Sequence, residues 1–217
     1  MVANINDIPS IKEDFSASVT GEIDQIISQP LSISDKIEVL KLILSCIDLT
    51  TLEGADTTAK VEEMCQNVLE LEARNDIPNV AAICVYPTFA KIVSEKLKPT
   101  NVTTACVAGA FPSGQSSIEI KVQEVKWAIE EGATEIDMVI SRGKLLEGKY
   151  QEVFDEIVAI KECCGDVHLK VIIESGELQN NQNIRIASDL AMYAGADFIK
   201  TSTGKISEGA TYNSAYI

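Results

Sequence analysis

Histidine is almost absent from this sequence: of 217 residues, only His168 carries an imidazole. A metal centre built on several imidazoles is thereby excluded, and a Ser-His-Asp triad could form only around that one residue. Cysteine occurs six times, as Cys46, Cys65, Cys84, Cys106, Cys163 and Cys164, but never in a Cys-x-x-Cys pair. That spacing gives no zinc or dithiol redox site, and the thiols read as mostly reduced and buried. Basic residues are few, 18 Lys and Arg against 33 Asp and Glu, for a formal charge of −15. So acidic a chain is a poor match for nucleic acid or an anionic membrane surface. Uninterrupted apolar runs reach only about six to eight residues, far below the roughly 20 needed to span a bilayer. Asp7, Lys12, Glu13 and Asp14 interrupt the first 20 residues, which do not read as a secretory leader. A cytoplasmic location is expected.

What is present suffices for a core: 46% of residues are apolar and 24% charged, close to the mix of an ordinary globular domain. Residues 1–45 read as a helical lead-in, polar and mixed over 1–35 and with helical apolar spacing over 36–45. Beyond it, β-branched and apolar runs at 46–50, 80–85, 102–108, 134–140, 168–173 and 196–200 predict strands. Amphipathic segments between them, such as 56–74, 115–131, 149–164 and 182–194, predict helices. Strand and helix alternating this often imply an α/β fold with a parallel sheet. Two segments share one local pattern: a helix is expected to end at Gly132 or Gly195, and a charged residue, Asp137 or Lys200, follows five positions later inside a strand.

Strands covered by helices are normally apolar throughout, so charges within them need a reason. Asp48, Asp137, Lys170 and Lys200 are two acids and two lysines on four separate predicted strands. Each alone could be a structural ion pair or an edge residue. All four together suggest a site at the carboxyl ends of the strands, where α/β proteins bind their ligands. A desolvated lysine beside another cation is a candidate nucleophile for a carbonyl, and Lys200 is the best placed. It runs into Thr201-Ser202-Thr203-Gly204-Lys205, which lacks the full spacing of a nucleotide P-loop.

Five segments in register carry a resemblance: Asp48-Leu49-Thr50-Thr51-Leu52, Ala82-Ile83-Cys84-Val85-Tyr86-Pro87, Glu135-Ile136-Asp137-Met138-Val139, Lys170-Val171-Ile172-Ile173-Glu174 and Ala194 to Lys205. From about residue 46 to 211 the chain resembles the 2-deoxyribose-5-phosphate aldolases. The resemblance implies a class I aldolase on a (β/α)8 barrel of the TIM type, with no metal and no cofactor. Its reaction would cleave 2-deoxy-D-ribose 5-phosphate to D-glyceraldehyde 3-phosphate and acetaldehyde. It would make Lys200 the Schiff-base residue, Asp137 the proton donor and acceptor acting with a water, and Lys170 a further catalytic residue. Asp48, Thr50, Cys84, Thr203, Gly204 and Lys205 would lie at the substrate. Homo-oligomers are common in the family.

The family's seventh strand, with Gly-Phe-Lys-Pro-Ala-Gly-Gly, and its eighth, with Gly-x-Ser-Ser, have no counterpart here; these bring a second active-site lysine and the phosphate turns. The chain is therefore expected to be a barrel truncated after strand 6, with reduced activity or none. The alternatives are another class I aldolase with a different donor, or a non-catalytic remnant binding a sugar phosphate or a partner. Trp127 is expected in a helix core with Val122, Val125 and Ile129. Cys163, Cys164 and His168 read as structural, and the loop Gly109 to Gly114 receives no catalytic role.

Overall fold

The computed structural model describes residues 5–15, 17–74 and 76–217; positions 1–4 and 16 of the lead-in lie outside the described residues. Its elements run α1 (Thr20–Ile27), α2 (Ile33–Ser45), β1 (Asp48–Thr50), α3 (Thr58–Glu72), β2 (Ala82–Val85), α4 (Ala90–Leu97), β3 (Thr103–Ala108) and α5 (Ile118–Glu130). There follow β4 (Glu135–Val139), α6 (Arg142–Leu146), α7 (Tyr150–Cys164), β5 (His168–Ile172), α8 (Asn181–Tyr193), β6 (Phe198–Lys200) and α9 (Tyr212–Tyr216). Every strand lies inside a segment that the sequence predicts. Helices α1, α4, α6 and α9 have no individual segment singled out in the sequence.

The strand order is β1-β2-β3-β4-β5-β6. An order without reversal is that of a wound (β/α) barrel, whereas a doubly wound sheet reverses direction at its switch point. The fold is accordingly α/β of the barrel type. The chain divides into two compact units, one comprising 1–29, 108–126 and 137–217 and the other 30–107 and 127–136.

In the second unit, β1, β2 and β3 pair in parallel, Thr50 opposite Cys84 and Cys84 opposite Ala105. Ala82, Ile83, Cys84 and Val85 are all fully buried, as a strand covered on both faces should be. Helix α3 starts at Thr57, whose hydroxyl accepts from the Lys60 amide, and its Val61, Cys65 and Val68 recur at helical spacing on the buried side. Helix α2 is closed by a capping box between Ser32 and Asp35. It nevertheless leaves Leu40 and Leu42 more than 60% exposed, so its amphipathic spacing does not correspond to burial among the described residues.

Trp127 corrects the sequence reading: it is 46% exposed and not a core residue. Val125 and Ala128, one helical turn apart, take the buried side of α5, and Trp127, two positions after Val125, falls roughly opposite it. The two expected helix-ending glycines behave as read, Gly132 at φ +103° and Gly195 at φ +93°. Such angles cost a residue with a Cβ but not glycine.

In the first unit, β5 and β6 pair in parallel, Lys170 opposite Phe198 and Ile172 opposite Lys200. Asn180 caps α8 by accepting from the Asn183 amide. The apolar face of α7, Val153, Phe154, Ile157 and Ile160, is buried. Within this unit α5, α7 and the segment after β4 enclose a polar group: Lys121, 1% exposed, donates to Glu156 at 2.8 Å and to Ser141 at 3.1 Å. Ser141 in turn donates to Glu156 at 2.6 Å. A buried pair survives only with its remaining hydrogen-bonding capacity met, and Ser141 supplies part of it.

The entry to β6 is fixed by Asp197, which accepts from Lys161 at 2.5 Å and from the Leu169 amide at 2.7 Å. Burial alone would raise this carboxyl, but those two bonds outweigh it and hold it below its ordinary value. A depressed folded pKa means stabilisation present above the ordinary carboxylate range and lost as pH falls through the folded value. Asp197→Asn is expected to cost roughly 1 kcal/mol near neutrality. In urea unfolding at pH 7 and pH 3, the gap between wild type and variant should narrow at the lower pH.

Candidate active site

In the first unit, β4 from Asp137 onward, β5 and β6 each bring one charged side chain to a common point. Asp137, the third residue of β4, is fully buried. The Nζ of Lys200 lies 2.5 Å from its Oδ2, and the Nζ of Lys170 lies 3.7 Å from its Oδ1. One carboxylate thus faces two amines, each oxygen turned toward a different one. A buried carboxylate is tolerable only with such partners.

The two lysines differ in reach and access. Lys170 is set two positions below Lys200 in the β5–β6 register, since Ile172 is the residue opposite Lys200. Its side chain is 9% exposed, against 31% for Lys200. Lys200 is therefore the amine that a solute can meet while it touches the carboxylate. Lys170 is the less accessible of the two amines.

The segment following Lys200 is tied to the end of β5. Backbone bonds continue the ladder, from the Ile173 amide to the Lys200 carbonyl (2.9 Å) and from the Ser175 amide to the Thr201 carbonyl (2.8 Å). Glu174, fully buried, then takes over with its side chain: Oε1 accepts from the Thr203 amide at 3.1 Å, and Oε2 accepts from the Thr203 hydroxyl. That hydroxyl accepts in turn from the Lys205 amide at 3.1 Å. Gly204, exposed at φ +74°, forms the tip of the turn. Glu174 itself adopts the left-handed conformation (φ 53°, ψ 61°), which costs a non-glycine residue on the order of 1–3 kcal/mol. Sequence reasoning quoted this acid but gave it no role; an acid closing the apolar run Val171-Ile172-Ile173 was the available signal.

Arg142 joins the loops that follow three strands. It donates to the Pro112 carbonyl at 2.9 Å and pairs with Glu177 at 2.5 Å. Pro112, Arg142 and Glu177, all in the first unit, are thereby held to one another.

In the second unit, Asp48, Thr50 and Cys84 lie on the paired strands β1 and β2, Asp48 at the start of β1 and Thr50 at its end. Thr50 lies opposite Cys84, and the Thr51 amide donates to the Cys84 carbonyl at 3.1 Å. The Thr50 hydroxyl donates to the Asp48 carbonyl at 2.8 Å. Cys84 is fully buried, and Asp48 is partly so. Elsewhere, burial pushes the Cys164 thiol up to about 12, with Cys163 beside it acting in the same direction. A thiol so raised is a packing group and not a nucleophile.

Residues 42–217 match the family model described as DeoC/LacD family aldolase. A Caenorhabditis elegans protein is 41% identical over 204 residues, covering 90% of this chain and 66% of that one. The human deoxyribose-phosphate aldolase is 40% identical over 183 residues, covering 79% and 57%. The chain thus spans about three fifths of the length of these curated relatives. A crystal structure of a Coccidioides immitis protein superposes with a TM-score of 0.75 at 29% identity, covering 92% of this chain and 79% of that one. With strand order, charged constellation and sequence in agreement, the chain belongs to the DeoC/LacD family of aldolases.

Proposed function

We propose that the protein is a deoxyribose-phosphate aldolase, with residues 46–217 carrying the chemistry and 1–45 serving as a lead-in. The observation that carries this reading is Lys200 Nζ at 2.5 Å from the buried Asp137 carboxylate, with Lys170 on its other oxygen. The name of the human relative supports the choice of substrate.

In this reading the neutral Lys200 amine attacks C1 of open-chain 2-deoxyribose 5-phosphate, and loss of water gives a protonated imine. A proton then leaves the C3 hydroxyl toward Asp137, through a bound water. The C2–C3 bond breaks, C3 becomes the aldehyde of glyceraldehyde 3-phosphate, and the electron pair passes into the imine to give an enamine. Asp137 returns a proton to C2. Water hydrolyses the resulting imine, releasing acetaldehyde and the free amine. Lys170, cationic behind the pair, favours the un-ionised form of its neighbour and orients the carboxylate. Within the first unit, Thr203, Gly204 and Lys205 bind the phosphorylated end. Phosphorylated sugars do not cross bilayers unaided, and a cytoplasmic setting goes with this substrate.

The test is to incubate the purified 217-residue chain with acetaldehyde and borohydride and map the peptides by mass. Reduction of the imine should leave an ethyl group on Lys200. Label from a ketone donor in place of acetaldehyde would indicate a different class I aldolase. No label from either would leave a non-catalytic binding protein.

A further inference from the structure

We infer that Glu174 is a positioning residue for the phosphorylated end of the substrate, an inference that rests on the aldolase reading above. Lys200 and the turn after it are held by different means. Lys200 is held by backbone, through the β5–β6 register and the bond from the Ile173 amide to its carbonyl. The turn Thr203-Gly204-Lys205 is held by the Glu174 side chain, which takes both the amide and the hydroxyl of Thr203, while that hydroxyl takes the Lys205 amide. The two ends of this short chain of bonds are a fully buried carboxylate and the amide of an exposed residue.

Lys200 and Lys170 both face Asp137, and the Glu174 carboxylate is turned to Thr203. Among the described residues, it accepts from both the amide and the hydroxyl of Thr203. Keeping a buried acid in a left-handed backbone conformation for one threonine is costly, and the return is a turn whose amides stay fixed in direction. Groups that bind an anion through backbone N–H work only when preorganised. Loss of Glu174 should therefore weaken recognition of the phosphate-bearing substrate while the Lys200 amine stays in place.

Borohydride trapping at graded concentrations gives a half-saturation value for acetaldehyde, which meets Lys200 but not the turn, and for 2-deoxyribose 5-phosphate, which meets the turn as well. In Glu174→Ala the value for the sugar phosphate should rise at least about tenfold and that for acetaldehyde no more than about threefold. Glu174→Gln, which keeps an acceptor for the Thr203 amide, should recover most of the loss. Should the alanine variant fail to fold, Thr203→Val against Thr203→Ser makes the same comparison from the other side, with serine retaining the hydroxyl. Equal shifts for both compounds, or none for either, would overturn the inference. If wild type is labelled by neither compound, the aldolase reading falls and the positioning role with it; a labelled wild type with an indifferent Glu174 sinks the inference alone.

Discussion

Lys200→Ala is expected to lose all borohydride-dependent label from acetaldehyde and to lower any retro-aldol turnover by at least about 10⁴-fold. The size follows from the chemistry. Without a covalent imine, the electrons of the breaking C2–C3 bond have only an aldehyde to enter, a far weaker acceptor than a protonated imine. No neighbour can substitute. Lys170 is 9% exposed and reaches the far oxygen of Asp137, so its amine is poorly placed for an incoming carbonyl. Conversely, Lys170→Ala should keep part of the label, because it removes a supporting charge and leaves the nucleophile. Peptide mapping after reduction decides this. Label persisting in Lys200→Ala, or moving to Lys170, would show that the nucleophile has been assigned to the wrong strand.

Asp137→Asn should cost about 10²–10⁴ in turnover, the range associated with a single acid–base group. Asparagine fills the same volume, so packing around β4 is disturbed little. What changes is that a neutral amide now faces two lysine side chains and can take no proton from the sugar hydroxyl. Exchange of the acetaldehyde methyl protons into D2O, which needs imine formation and proton transfer but no sugar, isolates that step. It should slow in proportion to turnover. Normal exchange in Asp137→Asn would move the proton-transfer role elsewhere.

The strands were legible because each is a short apolar run bounded by a turn residue, and the glycines at 132 and 195 gave two of them a common starting point. That pattern singled out Asp137 and Lys200, which meet at 2.5 Å across an intervening strand. Less legible were features that depend on which side of a helix meets the core. Trp127 sits among apolar residues in sequence, yet only Val125 and Ala128 of that stretch are fully buried. Spacing tells a helix from a strand, but the width of its buried face is set by neighbours distant in the chain. The role of Glu174 was hidden for a similar reason. Its partner Thr203 lies 29 positions away, and nothing local distinguishes an acid that binds a turn from one that faces water.

The enclosed group of Lys121, Glu156 and Ser141 has a consequence for how the family can drift. Removing one member of a buried pair strands the other charge, at a cost of about 3–5 kcal/mol, whereas exchanging both for apolar residues of like volume can be nearly neutral. Lineages that abandon Lys121 while keeping Glu156 would thus have to pass through a weakened protein. In this chain the two positions, 35 residues apart, should therefore tolerate exchange together better than exchange of either alone.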